Sequence, residues 1–578
     1  MRLRSAYAAA ALLLASFAAW LPTEWYDTIP RLSGLRPLPF SGVNLLRLVC
    51  LIEAALFALL AIRQTRFVPR RPSVSLLKAP DSATYDLERT TALITLVVIT
   101  IVGILLRAHN LNQDLWLDEI SPIVDYSRLS AAQVIGSYMR SNNHLLNTLL
   151  LKASISAFGQ SEWSVRLPAV IFGVLAIPAL YWIARIAFSR IASLGAALLF
   201  ATSYHHIFFS QNARGYTAYI FFALISTGAL IRALDRDDLK NWILYVAAAT
   251  LGMAALLLTA FVLVSHAILG LAFLFVLRRK GGHAAPLLRR LVGVFLIIGL
   301  LAFQIYAAAI PEAYVTLTTV YSRASTGFSL VSSDFVHEMI RGISVGFGSP
   351  LIAFIFLIAG ALGFAALFKR SWLLATGLVL PEVVTLTALV ARHLTISPRF
   401  FLLAVPLAML SAVAGVAFVI DWGASRRSLS PGTVRIAWIA AILLITAASL
   451  RSLPYYYRTP KQPYRKAIGY TEAHGQGGPV IVIAYASTGF KYYLQREGIQ
   501  DSSRYVYVRT RSQFDSLTSV PGAERAQLVT TFRRALRIEV PAFEQQLSSA
   551  WQQDTTFGAT VGDGEITIWS RRQGVPQR

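Results

Sequence analysis

The chain has 578 residues, 55% of them hydrophobic and only 14% charged, and its mean hydropathy of +0.56 excludes an ordinary water-soluble globular enzyme. A bilayer core of about 30 Å takes about 20 apolar residues per helix, so the composition implies many membrane crossings and at least one water-exposed domain. The net charge of +24 points to nucleic acid only in a soluble chain; here the basic residues must first be placed relative to the membrane.

Apolar stretches bounded by charges or turn residues run over 5–22, 42–62, 90–106, 165–186, 191–210, 214–233, 242–257, 259–277, 289–308, 349–368, 371–391, 399–421 and 433–451. These thirteen are read as membrane-spanning helices. The first also reads as a signal peptide, since Arg2 and Arg4 precede its apolar run, although Ser16 to Trp20 is a poor cleavage site. The single cysteine, Cys50, lies inside the second stretch, which excludes a disulfide framework and leaves the redox compartment unread.

With the N-terminus inside, the cytoplasmic connections collect Arg63, Arg66, Arg70 and Arg71, then Arg185 and Arg190, then Arg278, Arg279, Lys280, Arg289 and Arg290. The outer loops hold fewer, so the positive-inside bias selects this orientation and accounts for most of the basic excess without nucleic acid. An odd number of spans then puts 452–578 outside, together with two long non-spanning stretches, 107–164 and 309–348. Segments 118–139 and 144–158 read as short helices lying along the outer membrane surface. The tail alternates, with helical patterns at Tyr464 to His474 and Phe490 to Arg496 and strand patterns at Val480 to Tyr485, Tyr505 to Val508 and Glu565 to Trp569. It predicts a small α/β domain, in which no catalytic motif is visible.

The expected architecture is therefore a polytopic α-helical membrane protein of about thirteen transmembrane helices with juxtamembrane helices and a C-terminal α/β domain. Its parts are 1–89, two additional N-terminal helices and a basic cytoplasmic loop; 90–451, a catalytic membrane module containing the outer loop 107–164; and 452–578, the exposed domain.

Polar groups grouped on one side of the membrane beside apolar surface invite a functional reading. Asp118 and Glu119, within Leu115 to Ile120, open the first surface helix; carboxylates in a first turn also gain about 0.3 to 1 kcal/mol from the helix dipole. Asn142, Asn143 and His144 open the second. Arg214 and Tyr216 follow Gln211-Asn212-Ala213 where a span begins on the outer face, and Arg392, His393 and Arg399 stand on that face between two later spans. An Arg at such a position also snorkels to headgroups. Asp235 and Asp237 form an Asp-x-Asp read as a solvated cytoplasmic loop, and Gly342 to Gly346 matches a hydrolase nucleophile elbow only by chance.

The run Leu115 to Glu119, then Asn143-His144, Glu162 to Ala169 and Gln211 to Tyr216, resembles the type C (GT-C) glycosyltransferases. Within them it is most similar to the protein O-mannosyltransferase, aminoarabinose transferase and rhizobial galacturonosyltransferase-like group (family 39/83-like). The resemblance covers roughly 90–420. It implies a GT-C membrane fold and a catalytic role for Asp118 and Glu119. Arg214, Tyr216, Arg399 and His144 are implied as donor-phosphate ligands, with Asn143, Arg392 and His393 contacting the acceptor or supporting the site. Where the family carries a proline pair after the basic residue, this chain has Leu145-Leu146, and the two spans before residue 90 are an addition to the usual plan.

The implied reaction is inverting transfer of a hexose or pentose from a polyprenyl-phosphate-linked donor to an extracytoplasmic hydroxyl of lipid A or lipopolysaccharide, another envelope glycan, a lipid or a protein, with Asp118 as general base. Expected partners are that donor, the acceptor and membrane lipids, with no nucleic acid. No cofactor is required and no metal site is predicted, although Asp118 and Glu119 are compatible with a divalent ion. The expected location is the bacterial inner membrane, with active site and C-terminal domain on the periplasmic side. Asp118, Arg214 and Arg399 are expected to border one cavity there. The rival reading is a transporter or a flippase for lipid-linked glycans, which would lean on Arg47, Glu53 or Glu382; no matched second half supports it.

Overall fold

The computed structural model describes residues 2–22, 41–63, 77, 86–138, 143–319, 333–347, 349–392, 396–427, 429–475, 477–499, 502–518, 523–539, 547 and 549–572. They form two compact units, one of 1–108, 129–158 and 166–452, the other of 109–128, 159–165 and 453–578. The second unit thus gathers two pieces of the 107–164 stretch together with the tail.

The first unit is helical. Among the described residues ten helices are long and apolar enough to cross a bilayer: Gly42–Ile62, Arg89–Ala108, Glu162–Ala184, Tyr216–Arg236, Thr259–Arg279, Ala285–Tyr306, Pro350–Arg370, Trp372–Ala391, Ala404–Arg427 and Pro431–Arg458. The count becomes eleven if Arg190–Ala201 and Tyr204–Ser210, bent by 59° at their junction, form one broken span. All thirteen expected stretches are helical, and two of them are short. Tyr7–Trp20 is a shorter apolar helix, and Leu239–Ala255, with 17 residues, reaches only about 25 Å at a rise of about 1.5 Å per residue.

Helix starts follow from side-chain caps. The hydroxyl of Ser189 accepts the Ala192 N–H, Asp238 accepts from Asn241 at 2.8 Å, and Ser371 and Ser430 cap the helices they precede. Tyr216–Arg236 lies deepest, packed by Leu239–Ala255, Thr259–Arg279 and Trp372–Ala391. Small residues bring Pro350–Arg370 and Ala404–Arg427 together: a side chain on Gly363 would collide with the Ser411 carbonyl, and Gly415 faces Gly363 across the same seam. Such close backbone approach drives helix association where lipid removes the hydrophobic incentive.

The expected helix over 118–139 is two helices, Leu117–Tyr126 and Ala131–Gly136. The division falls where Ser130 and Gln133 form a reciprocal capping box that starts a new helix. Leu145–Phe158 follows the expected second segment. The Asp-x-Asp pair is a correction. Asp237 is buried, accepts from Trp242 Nε1 at 2.9 Å and forms an ion pair with Arg290 Nη1 at 2.9 Å, so it locks a connection rather than facing water. Gly342 to Gly346 lies inside the helix Ser333–Phe347, with no strand-turn-helix around it.

The second unit carries a five-stranded sheet: β1 (Val480–Ile483), β2 (Tyr505–Val508), β3 (Gln527–Thr530), β4 (Trp551–Phe557) and β5 (Ile566–Arg571), in the order β2-β1-β3-β5-β4. β1 pairs in parallel with β2 and β3, whereas β5 runs antiparallel to β3 and β4. Ile481, Val508, Leu528, Trp551 and Trp569 belong to its core. The α/β expectation holds, with β3 and β4 as additions. β4 alternates polar residues on an exposed face, and β3 flanks only Leu528 and Val529 with Gln527 and Thr530, so neither carries a hydrophobic run.

Replacing Gly363 with Leu is expected to force apart the Pro350–Arg370 and Ala404–Arg427 helices, costing about 1 to 3 kcal/mol. Gly360 on the same helix has open space at its Cβ, so Gly360→Leu should leave the thermal unfolding midpoint in detergent unchanged; equal effects of the two would contradict this packing.

Candidate functional site

In the first unit the expected phosphate ligands come together. His144, just before Leu145–Phe158, is buried, and so are Arg214 and Tyr216. His144 Nδ1 lies 2.9 Å from the Gly215 N–H, and its Nε2 lies 2.9 Å from Arg214 Nη2. The Gly215 N–H and the Arg214 guanidinium can only donate, whereas a neutral imidazole has one accepting nitrogen, so the ring accepts from one of the two at a time. Tyr216 presents its ring edgewise to His144, with centroids 5.4 Å apart.

Arg399 contributes the second full charge. It sits on the turn Pro398–Phe400, just ahead of Ala404–Arg427. Burial first, then the charges of Arg214 and Arg399, push the His144 pKa well below the usual histidine range. The imidazole is therefore neutral at physiological pH, and the cationic character of the cluster rests on the two arginines. The helix Tyr216–Arg236 begins directly at this cluster, where the positive end of its dipole also favours an anion.

The Arg214 turn is fixed from behind. Asn147 Nδ2 donates to the Ala213 carbonyl at 3.1 Å, and any side chain on Gly215 would collide with the Ala255 carbonyl. Further back, the buried Arg107 guanidinium donates to Ser210 Oγ at 3.1 Å and to the Gly103 and Ala201 carbonyls at 2.9 Å, and its Nη2 lies 2.7 Å from His206 Nδ1. Gln211 donates to the Arg107 carbonyl at 2.8 Å. Arg107 thus ties together the broken helix at 201–204 and the segment leading to Arg214.

In the second unit Asp118 lies half-buried in the first turn of Leu117–Tyr126. Glu119 beside it is fully buried. One of its oxygens accepts the Trp116 N–H at 3.3 Å, and the other stands 3.7 Å from Lys461 Nζ, which is itself buried. Tyr464 is close enough for the charge of Asp118, after burial and Asp114, to help push its phenol pKa up. Asp114, just upstream, is raised by burial but held by Arg465, whose backbone N–H and guanidinium both reach it. Arg465 also bonds Glu162 and Glu497.

Asn143 is buried, but its amide donates to the Val134 and Ser137 carbonyls and accepts from Thr148, which makes it a local tie. Arg392 is exposed at the end of Trp372–Ala391, and His393 lies outside the described residues. Four residues absent from the sequence expectations, Arg107, Asn147, Lys461 and Gln462, hold the candidate groups in place. A charge at the end of an apolar run signals Arg107, and flanking Pro460 and Pro463 mark Lys461-Gln462 as a stiff segment. Among the described residues no group of three or more His, Cys, Asp or Glu side chains is arranged to hold a metal ion.

Three comparisons place these features. Residues 145–306 match the family model of dolichyl-phosphate-mannose-protein mannosyltransferase, a stretch that contains Arg214 and Tyr216 and begins one residue after His144. No curated protein sequence matches the chain. Among solved structures it is similar to ArnT from Cupriavidus metallidurans in the apo state, at 13% identity over 84% of this chain and 99% of that one, with a TM-score of 0.47. The same protein bound to undecaprenyl phosphate aligns at 14% identity over 85% and 100% of the two chains, with a TM-score of 0.45. The Archaeoglobus fulgidus oligosaccharyltransferase complex with zinc and sulfate aligns at 13% identity over 78% and 69%, also at 0.45. With its polytopic helical fold, the chain is a multi-pass membrane protein in which residues 145–306 match the family model of dolichyl-phosphate-mannose-protein mannosyltransferase.

Proposed function

We propose that this protein is an inverting membrane glycosyltransferase that moves a sugar from a polyprenyl-phosphate donor to a hydroxyl on the periplasmic side of a bacterial inner membrane. The observation that carries the reading is the buried cluster of His144 and Arg214, with the charge of Arg399 felt at His144. His144 directly precedes, and Arg214 lies within, the stretch that matches a family named for a dolichyl-phosphate-mannose donor. Guanidinium groups offer charge-assisted hydrogen bonds matched to phosphate oxygens, and a phosphodiester supplies such oxygens on a lipid-borne group.

The chemistry follows from the groups present. The acceptor oxygen attacks the anomeric carbon while Asp118 takes its proton, so a C–O bond forms as the anomeric carbon–phosphate oxygen bond breaks. The polyprenyl phosphate departs with the bonding electrons. Arg214 and Arg399, with His144 beside them, stabilise the charge that develops on it. A single displacement inverts the anomeric configuration, and no covalent enzyme intermediate is needed. Lipid A or its core, another envelope glycan, a lipid and a protein are all acceptors of the right chemistry.

The test is transfer by membranes containing the full-length chain, supplied with a panel of radiolabelled polyprenyl-phosphate sugars. Asp118→Asn should lower kcat about 10²- to 10⁴-fold, the usual contribution of a positioned base, with donor KM little changed. Arg214→Ala or Arg399→Ala should raise donor KM about 10- to 100-fold, the worth of a charged hydrogen bond, and lysine should restore it only partly. Full transfer by Asp118→Asn would remove the base assignment. Consumption of none of the labelled lipids would remove the donor class and favour transport.

Because His144 stays neutral far below its ordinary titration range, donor KM should be flat between about pH 6 and 8. A KM that falls as pH drops through that window would mean that the imidazole binds phosphate as a cation.

A further inference from the structure

The turn that carries Asp118 is held by side chains from the segment that follows the last membrane helix. Helix Leu117–Tyr126 begins with Trp116 at its N-cap position, and the indole offers no capping hydrogen bond. The first N–H groups of a helix have no partner within it, and here other residues supply them. The Leu115 N–H donates to the Tyr493 hydroxyl at 2.6 Å, the Trp116 N–H to Glu119, and the Leu117 N–H to Gln462 Oε1 at 2.8 Å. Glu119, one residue beyond Asp118, faces Lys461 at 3.7 Å with both side chains buried.

Gln462 is fixed in turn. It is fully buried, its Oε1 also accepts from the Tyr464 hydroxyl at 3.0 Å, and its Nε2 donates to Thr531 Oγ1 at 3.2 Å. The Pro460 and Lys461 carbonyls accept the backbone N–H groups of Thr560 and Val561, in the connection between β4 and β5. The rigid Pro460–Pro463 segment is therefore bonded to the sheet on one side and to the acidic turn on the other. Within that frame Asp118 is half-exposed while Glu119 is closed off.

We propose that Lys461 and Gln462 are positioning residues for Asp118, so that the C-terminal α/β domain is a working part of the catalytic base rather than an appendage. Lys461 neutralises Glu119, and Gln462 caps the helix; together they fix the direction in which the Asp118 carboxylate leaves the turn. The inference rests on the reading of Asp118 as the base.

The experiment compares full-length Gln462→Ala, Lys461→Met and the double variant Glu119→Gln/Lys461→Met with wild type, measuring kcat, donor KM and binding of undecaprenyl phosphate. Asp118→Asn is measured alongside. Gln462→Ala and Lys461→Met should each lower kcat about 10- to 100-fold, the cost of displacing a reacting group by a fraction of an ångström to an ångström. Donor KM and undecaprenyl phosphate binding should stay at wild-type values, and the double variant should recover part of the rate lost in Lys461→Met because it leaves no lone buried charge. If Lys461→Met does not fold, Gln462→Ala decides alone. Wild-type kcat in Gln462→Ala, or a fall in kcat matched by an equal loss of lipid-phosphate binding, would overturn the positioning role. An inactive Asp118→Asn beside a fully active Gln462→Ala sinks this inference and leaves the base assignment standing, whereas an active Asp118→Asn removes both.

Discussion

A guanidinium group taken out of water has to bring its hydrogen-bond partners with it, and in the membrane unit that requirement shapes the backbone around Arg107. Its donors reach carbonyls at Gly103 and Ala201 and the Ser210 hydroxyl, and the His206 imidazole lies against them. The Ala201 carbonyl ends one helix, and His206 and Ser210 belong to the next. A bend that would leave backbone groups exposed to lipid is thereby satisfied from within the protein. The segment that emerges from this clamp is the one that presents Arg214.

The two groups of candidate residues show different solutions to the burial of charge. His144, Arg214 and Arg399 bring two guanidinium groups beside an imidazole that burial and their charges keep neutral. In the acidic turn Glu119 pairs with Lys461, and Asp114 and Glu162 pair with Arg465. Only Asp118 in that turn combines a carboxylate with partial exposure. A single-displacement glycosyl transfer needs both kinds of environment, a cationic one for the leaving phosphate and a poised carboxylate for the incoming hydroxyl.

Much of this was legible in the residue order. Apolar runs near bilayer length locate the membrane helices to within a few residues, because lipid leaves the backbone few alternatives to helix. The break at 201–204 was not legible, since Thr202 and Ser203 also occur inside membrane helices and the bend depends on Arg107, far away in sequence. The candidate donor ligands His144, Arg214, Tyr216 and Arg399 could be named because polar residues at span ends are few. Glu119 was grouped with Asp118 by adjacency, yet successive helical residues point in different directions, and one is sealed while the other is not. Gln462 was out of reach for the opposite reason: its bond to Leu117 joins positions 345 apart, and no local pattern encodes such a pairing. β4 escaped because an edge strand rich in Gln, Asp and Thr has no apolar face to count.

The central claim is that the guanidinium groups of Arg214 and Arg399 beside a neutral imidazole hold a lipid-borne phosphate. The most direct measurement is equilibrium binding of undecaprenyl phosphate to the purified full-length protein, in wild type, in Arg214→Ala/Arg399→Ala and in Asp118→Asn. Saturable binding that is lost in the double arginine variant and retained in Asp118→Asn is the predicted result. Binding of equal strength in all three would contradict the account.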